Sequence, residues 1–166
     1  MHRLTTEQRS NIVRAAKEWL GTPYHHHARI KHAGADCAMF PLAVYQECGV
    51  LPREYRPPQY SVQWHLHRSE ELYLNEIEKF VMEIGSLPQP ADFVVFRFGR
   101  TFSHGAIVVE WPIVIHSYIP HGVLLSDALR DGELLGREHK CFEVRPVAAM
   151  NAANRPNGNS QIRVTL

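Results

Sequence analysis

Cys37 stands in the stretch HAGADCAMFPLAVYQECG, residues 32–49, after a glycine-containing turn, with Asp36 before it and an apolar-periodic run behind it. A thiol at the first turn of a helix faces unpaired backbone N–H groups and a partial positive charge. Both favour the thiolate, the reacting form of cysteine. A thiolate nucleophile needs a base, and the base needs a group that orients it. The chain offers His104 in FSHGAIVV and His116 in VIHSY. They fall on consecutive predicted strands joined by a tight turn near Trp111-Pro112. An antiparallel pair of that size brings them together on one face, given the right register. The plain alternative for Cys37 is a small buried hydrophobe, and Cys48 and Cys141 are read that way. The histidines His25, His26 and His27 do not share a face of their loop and have no carboxylate or cysteine at ligand spacing. No metal site and no cofactor are expected.

These residues need elements to position them. Thr5 and Gln8 form a capping-box pattern, and Ile12, Val13, Ala16, Trp19 and Leu20 continue with a helical period to a stop at Gly21. Residues 25–35 read as an irregular loop. Asp36 is an N-cap for a second helix with Phe40, Val44 and Tyr45, closed by Gly49. Pro41 must kink that helix or shift its start. Residues 52–64, with Pro52, Pro57 and Pro58, read as a long loop. Ser69 caps a third helix with Tyr73, Ile77, Phe80 and Ile84 on its apolar side, ending at Gly85. The period then changes to two. Strands are expected at 92–98, 103–110, 114–119, 123–126 and 140–147. Helices followed by an antiparallel sheet make an α+β chain. A single domain is expected over residues 1–150, followed by a polar, turn-rich tail over 151–166.

Bulk properties exclude several classes. The 166 residues suit one domain with its own core. Lys and Arg (18) nearly balance Asp and Glu (17) without a basic run, so no nucleic-acid partner is expected. Three widely spaced cysteines without a CxxC pair suggest neither a disulfide framework nor a zinc site. MHRLTTEQRS has no apolar signal-peptide core, and no apolar run approaches a membrane span of about 20 residues. Synthesis in a reducing cytoplasm, with the thiols free, is the expectation.

Taken in order, Trp19-Leu20-Gly21-Thr22-Pro23-Tyr24, Asp36-Cys37, Pro90-Ala91-Asp92-Phe93-Val94-Val95-Phe96, Ser103-His104-Gly105 and Ile115-His116 resemble the NlpC-type cell-wall cysteine peptidases. The likeness runs from about residue 10 to 126. It implies a papain-like fold, with N-terminal helices packed on an antiparallel sheet. It also implies a cysteine endopeptidase that cuts peptidoglycan stem peptides after γ-D-glutamate. Carried over to this chain, Cys37 is the nucleophile, His104 the base and His116 its orienting partner. Tyr24 lines the cleft and Asp36 helps hold the substrate's polar end, unless capping its own helix occupies it. Many relatives read Asp-Cys-Ser-Gly, and their serine helps bind a free amino terminus; this chain has Ala38-Met39. DCAMFPLAVYQECGVLP, WHLHRSEELYL and FRFGRTFSHGAIVVEWP look like the bacteriophage and prophage branch, which implies phage tail proteins as partners and a place on the virion tail. Two rivals stand beside this reading. One is an amidase or acyltransferase acting on another amide. The other is a tail assembly protein with a degenerate site, against which the intact Cys37, His104 and His116 argue.

Overall fold

Thr5 opens the first helix as its spacing predicts. Its hydroxyl accepts from the Gln8 N–H, and the Gln8 side chain accepts from the Thr5 N–H. Helix α1 (Thr6–Lys17) buries Ile12, Ala15 and Ala16. The chain then tightens and turns at Gly21, whose φ of 81° lies in the left-handed region. The computed structural model describes residues 3–61 and 71–146. The predicted cap Ser69, the first part of the WHLHRSEELYL motif, the end of the last predicted strand, the domain boundary at 150 and the tail 151–166 lie outside the described residues.

The stretch read as an irregular loop contains a small antiparallel pair, β1 (Arg29–Ile30) and β2 (Gly34–Ala35). Helix α2 (Met39–Glu47) begins two residues after Cys37. Pro41 is its third residue. It sits in the first turn, where backbone N–H groups have no intrahelical acceptor, so the missing N–H is no loss and the helix start absorbs the proline. Helix α3 (Leu72–Ile77) is shorter than its apolar period suggests. The predicted second half of that helix is strand β3 (Val81–Glu83), because its backbone pairs with the last strand of the sheet. Tertiary pairing outweighs the local helical period here.

The remaining strands are β4 (Phe93–Phe98), β5 (Thr101–Glu110), β6 (Ile113–Tyr118), β7 (Gly122–Asp127) and β8 (His139–Val144). They form one six-stranded antiparallel sheet with β3, in the order β3-β8-β4-β5-β6-β7. Phe93, Val95, Ile107 and Ile115 face the helices, where Ile12, Trp19, Phe40 and Tyr45 pack. Val94, Phe96, Ala106, Val108 and Val114 face the other way, under Ala128 and Leu134. Burial on both faces makes β4 read as a continuous apolar run rather than an alternating one. Arg9 ties α1 to the sheet. Its guanidinium lies 2.6 Å from Asp92, donates to the Pro90 carbonyl at 2.7 Å and reaches Glu143 at 3.3 Å.

Candidate active site

The β5–β6 ladder runs only from Ile107↔Ile115 to Glu110↔Ile113. Towards residue 103 the two strands part, and Cys37 sits at that seam. Its Sγ lies 3.9 Å from the Ser103 carbonyl, to which the thiol donates. The backbone N–H groups of Cys37, Gly105 and Ala38 point to the sulfur. Gly105 keeps the strand close to the core, where a Cβ would overlap the Tyr73 hydroxyl and the Phe93 ring. On the opposite face of β5, His104 is turned away from these core side chains.

The register places His104 and His116 on the same face. Where the backbone ladder has ended, their side chains bond: His104 Nε2 lies 2.7 Å from His116 Nδ1. His116 Nε2 in turn lies 2.9 Å from the Ser126 hydroxyl. His104, His116 and Ser126 are all buried. Burial pushes His116 down to about 4, so it is a neutral imidazole at pH 7. The Phe98 ring lies 4.7 Å from the His104 ring, and Tyr118 meets it edge-on at 5.7 Å.

Cys37 and His104 line one cleft, together with Tyr24, His26, Tyr60, Ser103 and Tyr118. Tyr24 bridges to Ala35 of β2, and burial raises its phenol above its usual range, with Cys37 and Asp36 adding to the rise. Burial also pushes the Cys37 thiol up, and the Asp36 carboxylate adds to that; the backbone N–H groups pull it down. The helix start alone predicts the opposite direction. Burial outweighs it first, and the Asp36 anion adds to that; Cys37 also lies ahead of the helix rather than in it.

The N-cap of α2 is Ala38, two residues beyond the expected Asp36, and it makes no side-chain cap bond; the Asp36 carboxylate reaches the helix start from just outside it. Its Oδ1 accepts from the Ala38 N–H at 3.1 Å and the Met39 N–H at 2.8 Å. Its Oδ2 accepts from the His27 N–H at 2.8 Å and the Tyr60 hydroxyl at 2.7 Å. Tyr60 and Ser126 have no signal in the sequence. Tyr60 lies in a loop without periodicity, and Ser126 is one of many strand serines. Among the described residues, no group of three His, Cys, Asp or Glu side chains is placed to hold a metal ion. No described helix is long and apolar enough to cross a membrane.

The sequence matches no family model and no curated protein. Solved structures do match. The NlpC/p60 domain of the peptidoglycan hydrolase SagA aligns over 80% of this chain and 96% of its own, with a TM-score of 0.52 at 17% identity. The fold is that of the NlpC/p60 domains. A lipoprotein-like NLP/P60 protein of Staphylococcus aureus aligns over 88% of this chain, with a TM-score of 0.56 at 19% identity. An NlpC/p60 protein of Bacillus cereus aligns over 84%, with a TM-score of 0.53 at 18% identity. This chain spans 43% and 40% of those two longer chains. What the three share with it is the α+β, papain-like NlpC/p60 architecture.

Proposed function

We propose that the protein is a cysteine endopeptidase of peptidoglycan stem peptides, cutting the amide after γ-D-glutamate. One observation carries the reading: the cleft that holds Cys37 also holds His104, whose far nitrogen is bonded to a buried neutral His116. The architecture shared with a peptidoglycan hydrolase domain supports the substrate class.

These bonds allow two tautomer sets, and the mechanism uses the one that leaves His104 Nδ1 free to accept a proton. Neutral His116 carries its proton on Nε2, donates to Ser126 Oγ, and offers Nδ1 as an acceptor to His104 Nε2–H. His104 then takes the thiol proton on Nδ1. Since burial raises the Cys37 thiol, the thiolate forms as part of an ion pair with His104 rather than by itself. It attacks the scissile carbonyl, and the backbone N–H groups around Cys37 steady the oxyanion. His104 protonates the leaving amine, and water releases the acyl group from sulfur. No step in this sequence calls on a metal ion, so activity survives a chelator.

Asp36 carries four hydrogen bonds and Ala38 has no hydroxyl. Stems still attached to the glycan are therefore substrates as well as free stems. Purified sacculi and isolated stem peptides, digested separately and weighed by mass spectrometry, test this; Cys37→Ala is the control. Cleavage of free stems only rejects the relaxed demand for an amino terminus, and absence of any γ-D-glutamyl product rejects the reading. A phage-tail setting and tail-protein partners belong to the proposal on the sequence motifs alone.

A second reading, amide hydrolysis or acyl transfer on an apolar acyl group, has one observation in its favour. A cavity of about 260 Å³ lies behind Ala38 and Tyr60, lined by Tyr45, Tyr55, Phe80 and Phe93 among others. Release of a glycan–alanine or acyl amide product in the same digests supports it.

A further inference from the structure

The histidine cluster has no part in the mechanism above, yet two of its members converge on one residue. His26 Nε2 lies 3.0 Å from the Tyr60 carbonyl oxygen. His27 Nε2 lies 2.9 Å from the same oxygen and 3.1 Å from the Tyr60 nitrogen, so either tautomer finds a backbone partner. The ring of Tyr60 stacks at a tilt on His27, with centroids 4.0 Å apart, and meets His26 edge-on at 5.3 Å. The chain is thus pinned at Tyr60, and the phenol points to the start of α2. It reaches Asp36 Oδ2 at 2.7 Å, beside Cys37 in the shared cleft.

A carboxylate has about four acceptor sites. Asp36 spends them on the N–H groups of His27, Ala38 and Met39 and on the Tyr60 hydroxyl. The three N–H groups belong to the backbone: Ala38 and Met39 at the helix start, His27 in the loop before it. Among the described residues, the phenol is the one side-chain donor to Asp36, and it comes from another segment. The buried Nδ1 of His26, 3.6 Å from the same oxygen, occupies the remaining approach.

We propose that Tyr60, held by His26 and His27, closes Asp36 to substrate cations and so sets the acyl-side preference of the cleft for groups without a free ammonium. The proposal rests on Cys37 as the reacting thiol. Removing the hydroxyl alone opens one acceptor site on a buried anion next to the sulfur. Tyr60→Phe therefore converts an ammonium-indifferent cleft into an ammonium-selective one.

Thiol labelling reads this without any cleavage. Cys37 is modified with neutral methyl methanethiosulfonate and with cationic 2-aminoethyl methanethiosulfonate at pH 8, above the ordinary histidine range. Rates at Cys37 come from peptide mass spectrometry, and their ratio cancels the thiolate fraction. Divided by the same ratio for free cysteine, which removes the reagents' intrinsic difference, it is near one in the unaltered protein and rises about tenfold in Tyr60→Phe, the size expected for one charge-assisted bond. His27→Ala, which frees the Tyr60 backbone, moves it in the same direction. A tenfold cationic preference in the unaltered protein, or a ratio unmoved in both variants with thermal unfolding intact, overturns the proposal. Binding of γ-D-glutamyl peptides with free and acetylated N-termini to Cys37→Ala separates the two readings. Binding of neither peptide removes the peptidase assignment, while the labelling ratio still decides the role of Tyr60.

Discussion

At the scale of single residues, the His104–His116 bond divides labour unequally. On the proposed mechanism, losing His104 lowers kcat/KM on the order of 10³-fold or more, since nucleophile and base act as a unit. His116→Asn loses much less, because an amide oxygen can accept the same proton donor. Near-normal turnover in His104→Ala places the base elsewhere. Cys37 is raised by burial and by Asp36, so the proposed mechanism draws its reactivity from His104. Alkylation by iodoacetamide at pH 6 is faster at Cys37 than at Cys48 or Cys141 in the unaltered protein, and falls to their level in His104→Ala. Equal rates at all three thiols from the outset reject the pair. His116 adds a pH dependence. Its folded value of about 4 lies below the ordinary 6.5, so between those values the unfolded chain binds more protons than the native one. Stability is full above about 6.5, declines as pH falls, and levels off below about 4. The total loss is about 3 kcal/mol. Urea midpoints at pH 4.5 and 7.5 check this, and His116→Asn flattens the difference.

At the scale of elements, the start of α2 is the most consequential joint. Asp36→Ala unpairs the Ala38 and Met39 N–H groups and the Tyr60 hydroxyl together, and lowers unfolding free energy by about 2 kcal/mol, at the upper end for a cap. A urea midpoint unchanged in that variant assigns the cap to some other group. Much of this level was legible in the sequence. The capping box at Thr5, the Asp36 cap and the five strands of alternating or apolar residues are local signals, and the structure has each of them within a few residues. The pairing of His104 with His116 was legible as far as a hairpin of that length allows. Three features were not. Strand β3 exists through its pairing with β8, a contact invisible to local period. The parting of β5 from β6 depends on what wedges between them. Tyr60 and Ser126 earn their places through partners far along the chain, 24 residues away for the Tyr60–Asp36 bond.

At the scale of the whole molecule, the sheet is a shared floor with a cover on each side. Helices α1 and α2 close one face, and the segment around Ala128 and Leu134 closes the other. Arg9 fastens the first cover to β4 and β8 through Asp92 and Glu143. Arg9→Ala strands a nearly fully buried Asp92 carboxylate and lowers stability by about 3 kcal/mol or more. Replacing both partners, Arg9→Met with Asp92→Asn, restores part of the loss. A double variant no better than the single one means that the guanidinium acts through packing. The sequence foresaw the α+β order and missed the second cover, since a turn-rich stretch with one deeply buried leucine has no periodicity to read.

The parted seam between β5 and β6 has a consequence for amide exchange. In an unbroken ladder, the N–H of Gly105 would be shielded by a neighbouring strand. Here the sulfur of Cys37 stands opposite that N–H, and the adjacent Ser103 carbonyl receives the thiol proton. The Cys37 side chain is docked on β5 in the manner of a one-residue strand. The Gly105 amide is therefore an isotopic reporter of the thiol's position. Its protection against deuterium drops in Cys37→Ala while that of Ile107, within the ladder, holds.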